Sequence, residues 1–421
     1  MSKAFSAPGK ALLAGGYLVL EPIYDAYVTA LSSRMHAVIT PNSSTTGISK
    51  IKVSSPQFAN GEWEYHISGN NEKPKEVKSR TNPFLEATIF IVLSYVQPTE
   101  PFDLDIQIYS DPGYHSQEDT TSKKSANGNK KFLYHSRAIT EVEKTGLGSS
   151  AGLVSVVTTS LLSYFVPGIE TTNKDLLHNV AQIAHCYAQK KIGSGFDVAT
   201  AIYGSIIYRR FQPSLINDAF KILEETPDKF TEALKSLIES NWEFRHERCV
   251  LPPKIKLLMG DIKGGSETPK LVSQILQWKK DKPEESGLVY EQLNNANVQF
   301  MKKLGELEES YTDELKSLIE AIQDVRKGLQ ELTNKSKVPV EPSVQTELLD
   351  RCEELPGCLG GVVPGAGGYD AISVLVLEDK VDEFRNSTAK NLAYYHDVYW
   401  VDLEEEAEGI ISENPDDYIG L

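Results

Sequence analysis

The run Lys144-Thr145-Gly146-Leu147-Gly148-Ser149-Ser150-Ala151-Gly152 sets small, flexible residues and two hydroxyls directly ahead of an apolar segment. Glycines let successive backbone N–H groups turn toward one anion, and the start of a helix adds roughly half a positive charge. Serine hydroxyls at that point can reach a phosphate oxygen or its metal. Leu153, Val154, Val157, Leu161 and Leu162 recur at spacings of one, three and four, which predicts a helix buried along one broad face. Such a loop reads as a phosphate cradle, but Gly/Ser turns are common connectors, and other segments must decide between the two.

A chain of 421 residues exceeds one ordinary core, so two domains are expected, divided near residue 220 into 1–220 and 221–421. The first part mixes short strand patterns with long helical ones, whereas Pro213 to Asp350 is mostly helical. With 43 basic and 59 acidic residues the net charge is −16, which opposes nonspecific binding to nucleic acid or anionic membrane. An anionic substrate must therefore meet local positive charge. The four cysteines, Cys186, Cys249, Cys352 and Cys358, are too few and too irregular for a disulfide framework or a zinc site. Without a charged segment leading into an apolar core at the start, a cytoplasmic protein is expected, as a monomer or weak dimer.

Strands are predicted over Lys3–Ala7, Tyr27–Ser32, Met35–Thr40, Lys50–Ser54, Trp63–Ile67, Asp103–Tyr109, Lys254–Asp261, Gly360–Val363 and Ala371–Leu377. Asn82-Pro83 has the form of an N-cap and first helical residue. A second helix is expected over Asp175–Gln189, stopping at Gly193, and later ones over Lys270–Lys279, Glu291–Leu304 and Tyr311–Leu332. Ser116 to Lys131 is polar and poor in bulky apolar residues, which predicts a mobile surface excursion.

Three further segments carry chemistry. Pro8-Gly9-Lys10 places a lysine at a predicted turn after a strand. It is not a Walker A loop, because Ala4 replaces the first glycine and Ala11 the Ser/Thr. Lys190-Lys191-Ile192-Gly193-Ser194-Gly195-Phe196-Asp197 joins two cations, a small turn and a carboxylate that can also cap a helix. Val363-Pro364-Gly365-Ala366-Gly367-Gly368-Tyr369-Asp370 is a second glycine loop between strand patterns, or simply a tight hairpin.

These four segments, in this order, resemble the GHMP small-molecule kinases. Ala14-Gly15-Gly16-Tyr17, Lys144–Ser150 and Pro364–Asp370 are most similar to the branch of that family whose acceptor is 5-phosphomevalonate, on the route to isoprenoids and sterols. The resemblance implies an α/β (α+β) protein with an N-terminal mixed α/β domain, a C-terminal ferredoxin-like α+β domain, and the active site in the cleft between them. It implies ATP and Mg²⁺ as cofactors, with Lys144, Thr145, Gly146, Leu147, Gly148, Ser149, Ser150, Ala151 and Gly152 around the nucleotide phosphates and Ser150 on the metal. Lys10 and Asp197 match the catalytic pair. Ser194 matches a position beside the acceptor, and Gly365, Ala366, Gly367 and Gly368 would close over the phosphates. Where many relatives carry Glu-His this chain has Gly16-Tyr17, and Tyr17 is placed at the acceptor. Cys186 stands where mevalonate kinases carry a metal-binding glutamate, so a second protein ligand for Mg²⁺ has no match.

A phosphate acceptor is largely a dianion at neutral pH, its second pKa being about 6. Asp197 is therefore expected chiefly to orient Lys10 and remove the residual proton. Lys190, Lys191, Arg80, Lys144, His115 and Arg137 are candidates to offset the acceptor's charge, and Lys190 and Lys191 are favoured because Gly193-Ser194 follows them. An alcohol acceptor, as in mevalonate kinase, is the rival reading, and a non-catalytic ATP and metabolite sensor is the rival from another class.

Overall fold

The computed structural model describes residues 1–43, 47–262, 268–307 and 314–421. In the first part, strands β1 (Lys3–Ala14), β2 (Ala26–Asn42), β3 (Ser49–Ser54), β4 (Glu62–Ile67) and β5 (Lys75–Glu76) precede helix α1 (Pro83–Val96). There follow β6 (Asp103–Ser110), β7 (Thr120–Lys124), β8 (Lys131–His135), α2 (Ser149–Phe165), α3 (Ile169–Thr172), α4 (Lys174–Gln189), α5 (Phe196–Tyr203) and β9 (Ile206–Arg209). Next come α6 (Ser214–Glu225), α7 (Phe230–Glu239) and β10 (Arg245–Arg248). The later part contains β11 (Ile255–Ile262), α8 (Thr268–Asp281), α9 (Pro283–Glu306), α10 (Glu314–Ser336), α11 (Ser343–Glu353), β12 (Cys358–Val362), β13 (Ala371–Leu377), α12 (Val381–Lys390), α13 (Leu392–Tyr395), β14 (Val398–Trp400) and β15 (Ile411–Glu413). The expected helix start at Tyr311–Asp313 lies outside the described residues.

The first sheet is mixed, in the order β10-β9-β2-β6-β3-β4-β5, with β1 on β2 and β15 on β1. β3 and β6 run parallel and the other pairs antiparallel. Helix α2 packs on β1 and β2 and is flanked by α1, α4 and α5. It is buried nearly all round, with Val154, Ser155, Val156, Val157, Thr158, Thr159 and Ser160 all inaccessible, rather than along one face as expected. A helix enclosed on every side needs small or apolar residues on every side, and its serines and threonines meet that need. Asn82 caps α1 by accepting from the Leu85 N–H at 3.3 Å, as the Asn-Pro pair predicts.

The second sheet has the order β12-β13-β11-β14, every pair antiparallel. With α8 to α11 after β11 and α12 to α13 after β13, the connectivity is β-α-β-β-α-β, the ferredoxin-like arrangement. The division of the chain is less simple than a cut at residue 220. β10 pairs with β9, α7 packs on α1 and α4, and β15 returns to pair with Ala4–Ser6 of β1.

Three local expectations are corrected. Pro8-Gly9 is not a turn: β1 runs through it with a shift of register between Pro8 and Gly9, a bulge where a residue lacking an N–H is tolerated. Residues 116–131 are not a free excursion. β7 and β8 form an antiparallel hairpin anchored by Phe132, fully buried and stacked on Tyr109 with ring centroids 5.0 Å apart. Helix α4 ends at Gln189 as expected, but the residue that stops it is Lys190, left-handed at φ 55°, and not Gly193.

Candidate active site

The glycine loop reaches the sheet through β1. The Lys10 backbone N–H donates to the Leu147 carbonyl at 3.2 Å, and its side-chain Nζ donates to the Gly146 carbonyl at 2.9 Å. Gly9 makes this approach possible, since a Cβ there would stand 3.3 Å from the Leu147 carbonyl oxygen and 3.3 Å from the Tyr114 hydroxyl. Gly146 and Gly148 take φ 76° and 84°, a backbone that side chains resist, and Gly148 occupies the N-cap of α2. Thr145 ties the loop down from the other side, its hydroxyl donating to the Gly113 carbonyl. Ser149, Ser150, Ala151 and Gly152 form the first turn of α2, and Gly152 lies against Met35 of β2.

Asp197 sits in the first turn of α5 behind Gly195, its Oδ1 accepting the Val198 N–H at 2.9 Å. It is one residue inside the helix rather than its cap. Lys10 and Asp197 are not in ion-pair contact, but a Cβ on Gly148 would lie 3.4 Å from Lys10 Cε and 3.8 Å from Asp197 Cβ, so the glycine separates the two side chains. Burial lowers the Lys10 pKa from its ordinary value, while Asp197 and Asp370 act in the opposite sense. The Phe196 ring stands 5.5 Å from the ammonium.

A cleft open to solvent, about 960 Å³ with its mouth included, lies here. Lys10, Tyr17, Thr145, Gly146, Ser194, Gly365, Ala366, Gly367 and Asp370 line it, together with apolar Leu12, Val19, Phe196, Met259 and Val272. One wall thus comes from each of the four sequence segments. Tyr17 also joins the two parts of the protein, its hydroxyl donating to the Ala366 carbonyl at 2.7 Å. Gly16 packs so tightly there that a Cβ would fall 2.7 Å from the Gly365 carbonyl oxygen. Gly365, Gly367 and Gly368 have φ 66°, 68° and 108°, and Gly368 is turned inward with its N–H on the Val340 carbonyl, off the cavity wall.

Several expected residues lie elsewhere. Lys190 and Lys191 are exposed and do not line the cavity, because the left-handed turn at Lys190 carries them to the surface. Lys144 is exposed beside His115, which it joins in an isolated backbone bridge. Arg80 donates to the Asn60 carbonyl and Arg137 to that of Glu141. His115 is not a cation at neutral pH, its pKa being lowered to about 4 by burial, Lys144 and His135.

The structure adds His185, whose Nε2 lies 3.1 Å from Ser150 Oγ and whose ring stacks on Phe84 of α1 at 5.7 Å. Burial lowers its pKa, against the field of Asp197. The signal was available: His178, Gln182, His185 and Gln189 form a polar stripe along one side of α4, and the first three are buried. Among the described residues no group of three His, Cys, Asp or Glu side chains could hold a metal unaided. The Ser150 hydroxyl at a helix start suits Mg²⁺, a hard cation that takes oxygen ligands and is usually held jointly with substrate phosphates. Imidazole is a poor ligand for it, so His185 fits as a hydrogen-bond partner of Ser150.

The family models agree with this geometry: the GHMP kinases N terminal domain matches residues 126–205, and the GHMP kinases C terminal model matches residues 305–393. The chain is 73% identical to a phosphomevalonate kinase of Candida albicans over 100% of both chains. It belongs to the GHMP kinases, in their phosphomevalonate kinase branch. A phosphomevalonate kinase of Gibberella zeae is 37% identical over 99% of this chain and 98% of its own length. Among solved structures, the Streptococcus pneumoniae phosphomevalonate kinase in complex with phosphomevalonate and AMPPNP superposes with a TM-score of 0.66 at 18% identity, covering 96% of this chain and 99% of that one. At that identity the likeness speaks for the GHMP kinase fold alone.

Proposed function

We infer that this GHMP kinase transfers the γ-phosphoryl group of MgATP to 5-phosphomevalonate, giving 5-diphosphomevalonate. The observation that carries the site is the single cavity onto which Lys10, the first glycine loop, Ser194 and the second glycine loop all open. Phosphoryl transfer asks mainly for positioning and for positive charge on the migrating group. Lys10 supplies both, because its ammonium is anchored by the Gly146 carbonyl in a partly desolvated wall. The positive-φ glycines at 146 and 148 open the loop's backbone toward nucleotide phosphates, and Ser150, braced by His185, is the protein's hydroxyl for Mg²⁺. Bound Mg²⁺ neutralises phosphate charge.

The acceptor lies by Ser194 and Tyr17, with the Gly365–Gly367 turn across it. Asp197 acts on Lys10 through its field rather than by contact, and takes up the residual proton of the acceptor. We place the nucleotide-binding unit at residues 1–250 together with the returning segment 411–418, and the ferredoxin-like unit between them. Among the described residues no helix is long and apolar enough to cross a membrane. A cytoplasmic setting is the reading that accords with four free cysteines.

The test is a coupled ADP-release assay on purified protein with MgATP, offering mevalonate and 5-phosphomevalonate side by side. Turnover of phosphomevalonate alone is expected. Turnover of mevalonate instead would move the reaction one step earlier, and tight ATP binding without turnover of either would favour a sensor.

A further inference from the structure

The cavity has a charge deficit. Among the described residues that line it, Lys10 is the cation and Asp370 the anion, so the two offset each other before any phosphate binds. The surface lysines expected to compensate are turned away.

Arg210 follows β9 and is 6% exposed. Its guanidinium donates through one terminal nitrogen to the Leu20 carbonyl and through the other to the Gly193 carbonyl, and its Nε is buried without a partner. Phe211 presents its ring 5.8 Å from the guanidinium carbon. No acidic side chain forms an ion pair with it among the described residues. A guanidinium cannot shed its proton, and an unpaired buried charge is costly. Leu20 lines the cavity, and Gly193 directly precedes Ser194, which lines it as well.

The loop it holds is fixed at three successive points. Gly193 is held by Arg210, Ser194 by the Tyr208 hydroxyl at 2.9 Å, and Gly195 by the Gln182 amide. Tyr208 and Gln182 are wholly buried. Gly195 has no room for a side chain, since a Cβ would stand 2.9 Å from the Tyr208 hydroxyl. Ser194 is therefore presented to the cavity by a backing of three side chains, of which Arg210 alone is charged, with Asp197 also acting on Tyr208.

We propose that Arg210 is a positioning residue for the acceptor: it joins the Leu20 and Gly193 loops into one wall, and its unneutralised charge behind that wall favours an acceptor bearing a phosphate dianion over an uncharged alcohol end. The proposal rests on the phosphomevalonate reading above. Arg210 touches no reacting atom. It acts through the position of Ser194 and through the field at the acceptor phosphate, which in a partly dry site is weakly screened.

Two variants separate charge from scaffold. Arg210→Gln keeps amide donors for a carbonyl and removes the charge, while Arg210→Lys keeps the charge and loses the two-armed geometry. Steady-state kinetics should show Arg210→Gln raising the KM for phosphomevalonate roughly 10- to 100-fold, with the KM for MgATP within about threefold of wild type. Arg210→Lys, which keeps the charge but can hold only one of the two carbonyls, should raise the acceptor KM by less than about tenfold, with the KM for MgATP within about threefold of wild type. Tyr208→Phe, which loosens Ser194 without touching the charge, should lower kcat more than it raises the acceptor KM. Equal changes in both KM values for Arg210→Gln, or an Arg210→Lys variant losing acceptor affinity tenfold or more, would overturn the proposal. The Lys variant decides the matter if the Gln variant does not fold. Wild-type enzyme assayed alongside with mevalonate keeps the two readings apart, since a preference for mevalonate overturns the assigned acceptor whatever the Arg210 variants do.

Discussion

The Lys10 ammonium and the Gly146 carbonyl form a hydrogen bond of 2.9 Å, so the cation and the glycine loop are one unit before any ligand arrives. A lysine on a free turn would have to be ordered by whatever it binds, at a cost in side-chain entropy. Here it is held in mid-strand, with its own backbone N–H on Leu147. Preorganised charge of this kind needs little rearrangement at the moment of transfer.

Replacing Lys10 by Met should therefore lower kcat by about 100- to 1,000-fold, the range for losing one preorganised donor. Thermal stability should be unchanged or raised, because methionine occupies the site without the desolvation that lowers the lysine's pKa. Paired kcat and melting measurements check this, and a collapse in Tm would assign Lys10 to the scaffold instead.

Gly148→Ala probes the spacer between Lys10 and Asp197. The distances of 3.4 Å and 3.8 Å are ordinary contacts, so strain at φ 84° is the dominant cost, about 1–3 kcal/mol. Denaturant unfolding should show that loss, and kcat should fall as the loop shifts off Lys10. A variant as stable and active as wild type would show that the loop adapts.

Lys190→Ala and Lys191→Ala, alone or together, should change the phosphomevalonate KM by less than about threefold, with any effect fading as salt rises. Both side chains are exposed and outside the cavity. A large, salt-insensitive rise in KM would bring them back into the acceptor site.

Acid stability should be governed by the seam that the C-terminal segment makes with β1 and β2. Asp111 is opposed by burial, but His36, the Arg34 N–H and Lys130 carry its pKa below 3.8. Glu413, likewise opposed by burial, is lowered below 4.5 by Ser6, Lys130 and His36. Groups whose folded pKa is depressed contribute stability above the unfolded value and lose it as pH falls through the folded one. Unfolding free energy should thus be flat near these groups above about pH 5 and decline below about pH 4.5. Asp111→Asn should flatten the decline, as urea titrations at successive pH values would show.

Much of the candidate site was legible because the residues that line its cavity come from short local segments. The glycine loop ahead of an apolar helix, the Asn82 cap and the strand at Ala371–Leu377 follow from residue type and spacing, whereas Lys10, Ser194 and Gly365–Gly367 were singled out by the resemblance to one family and line one cavity. Backbone freedom at Gly146 and Gly148 is a property of glycine itself, and it shows in the sequence before any fold is known.

Direction and depth were settled by the tertiary structure. Nothing in Lys190-Lys191 foretold a left-handed residue that carries both to solvent, and nothing in Pro8-Gly9 foretold a bulge rather than a turn, because β2 supplies the pairing that keeps β1 extended. Phe132 anchors a hairpin only because Tyr109 and Tyr418, distant in sequence, meet it. Arg210 reads as the second of two adjacent arginines at the end of a short strand, and becomes a buried charge behind the cavity wall only when Leu20 and Gly193 converge on it. Local sequence determines which backbone shapes and which reactive groups are present. Which of those groups lose their water is a matter of long-range packing, and desolvation sets the strength of a charge.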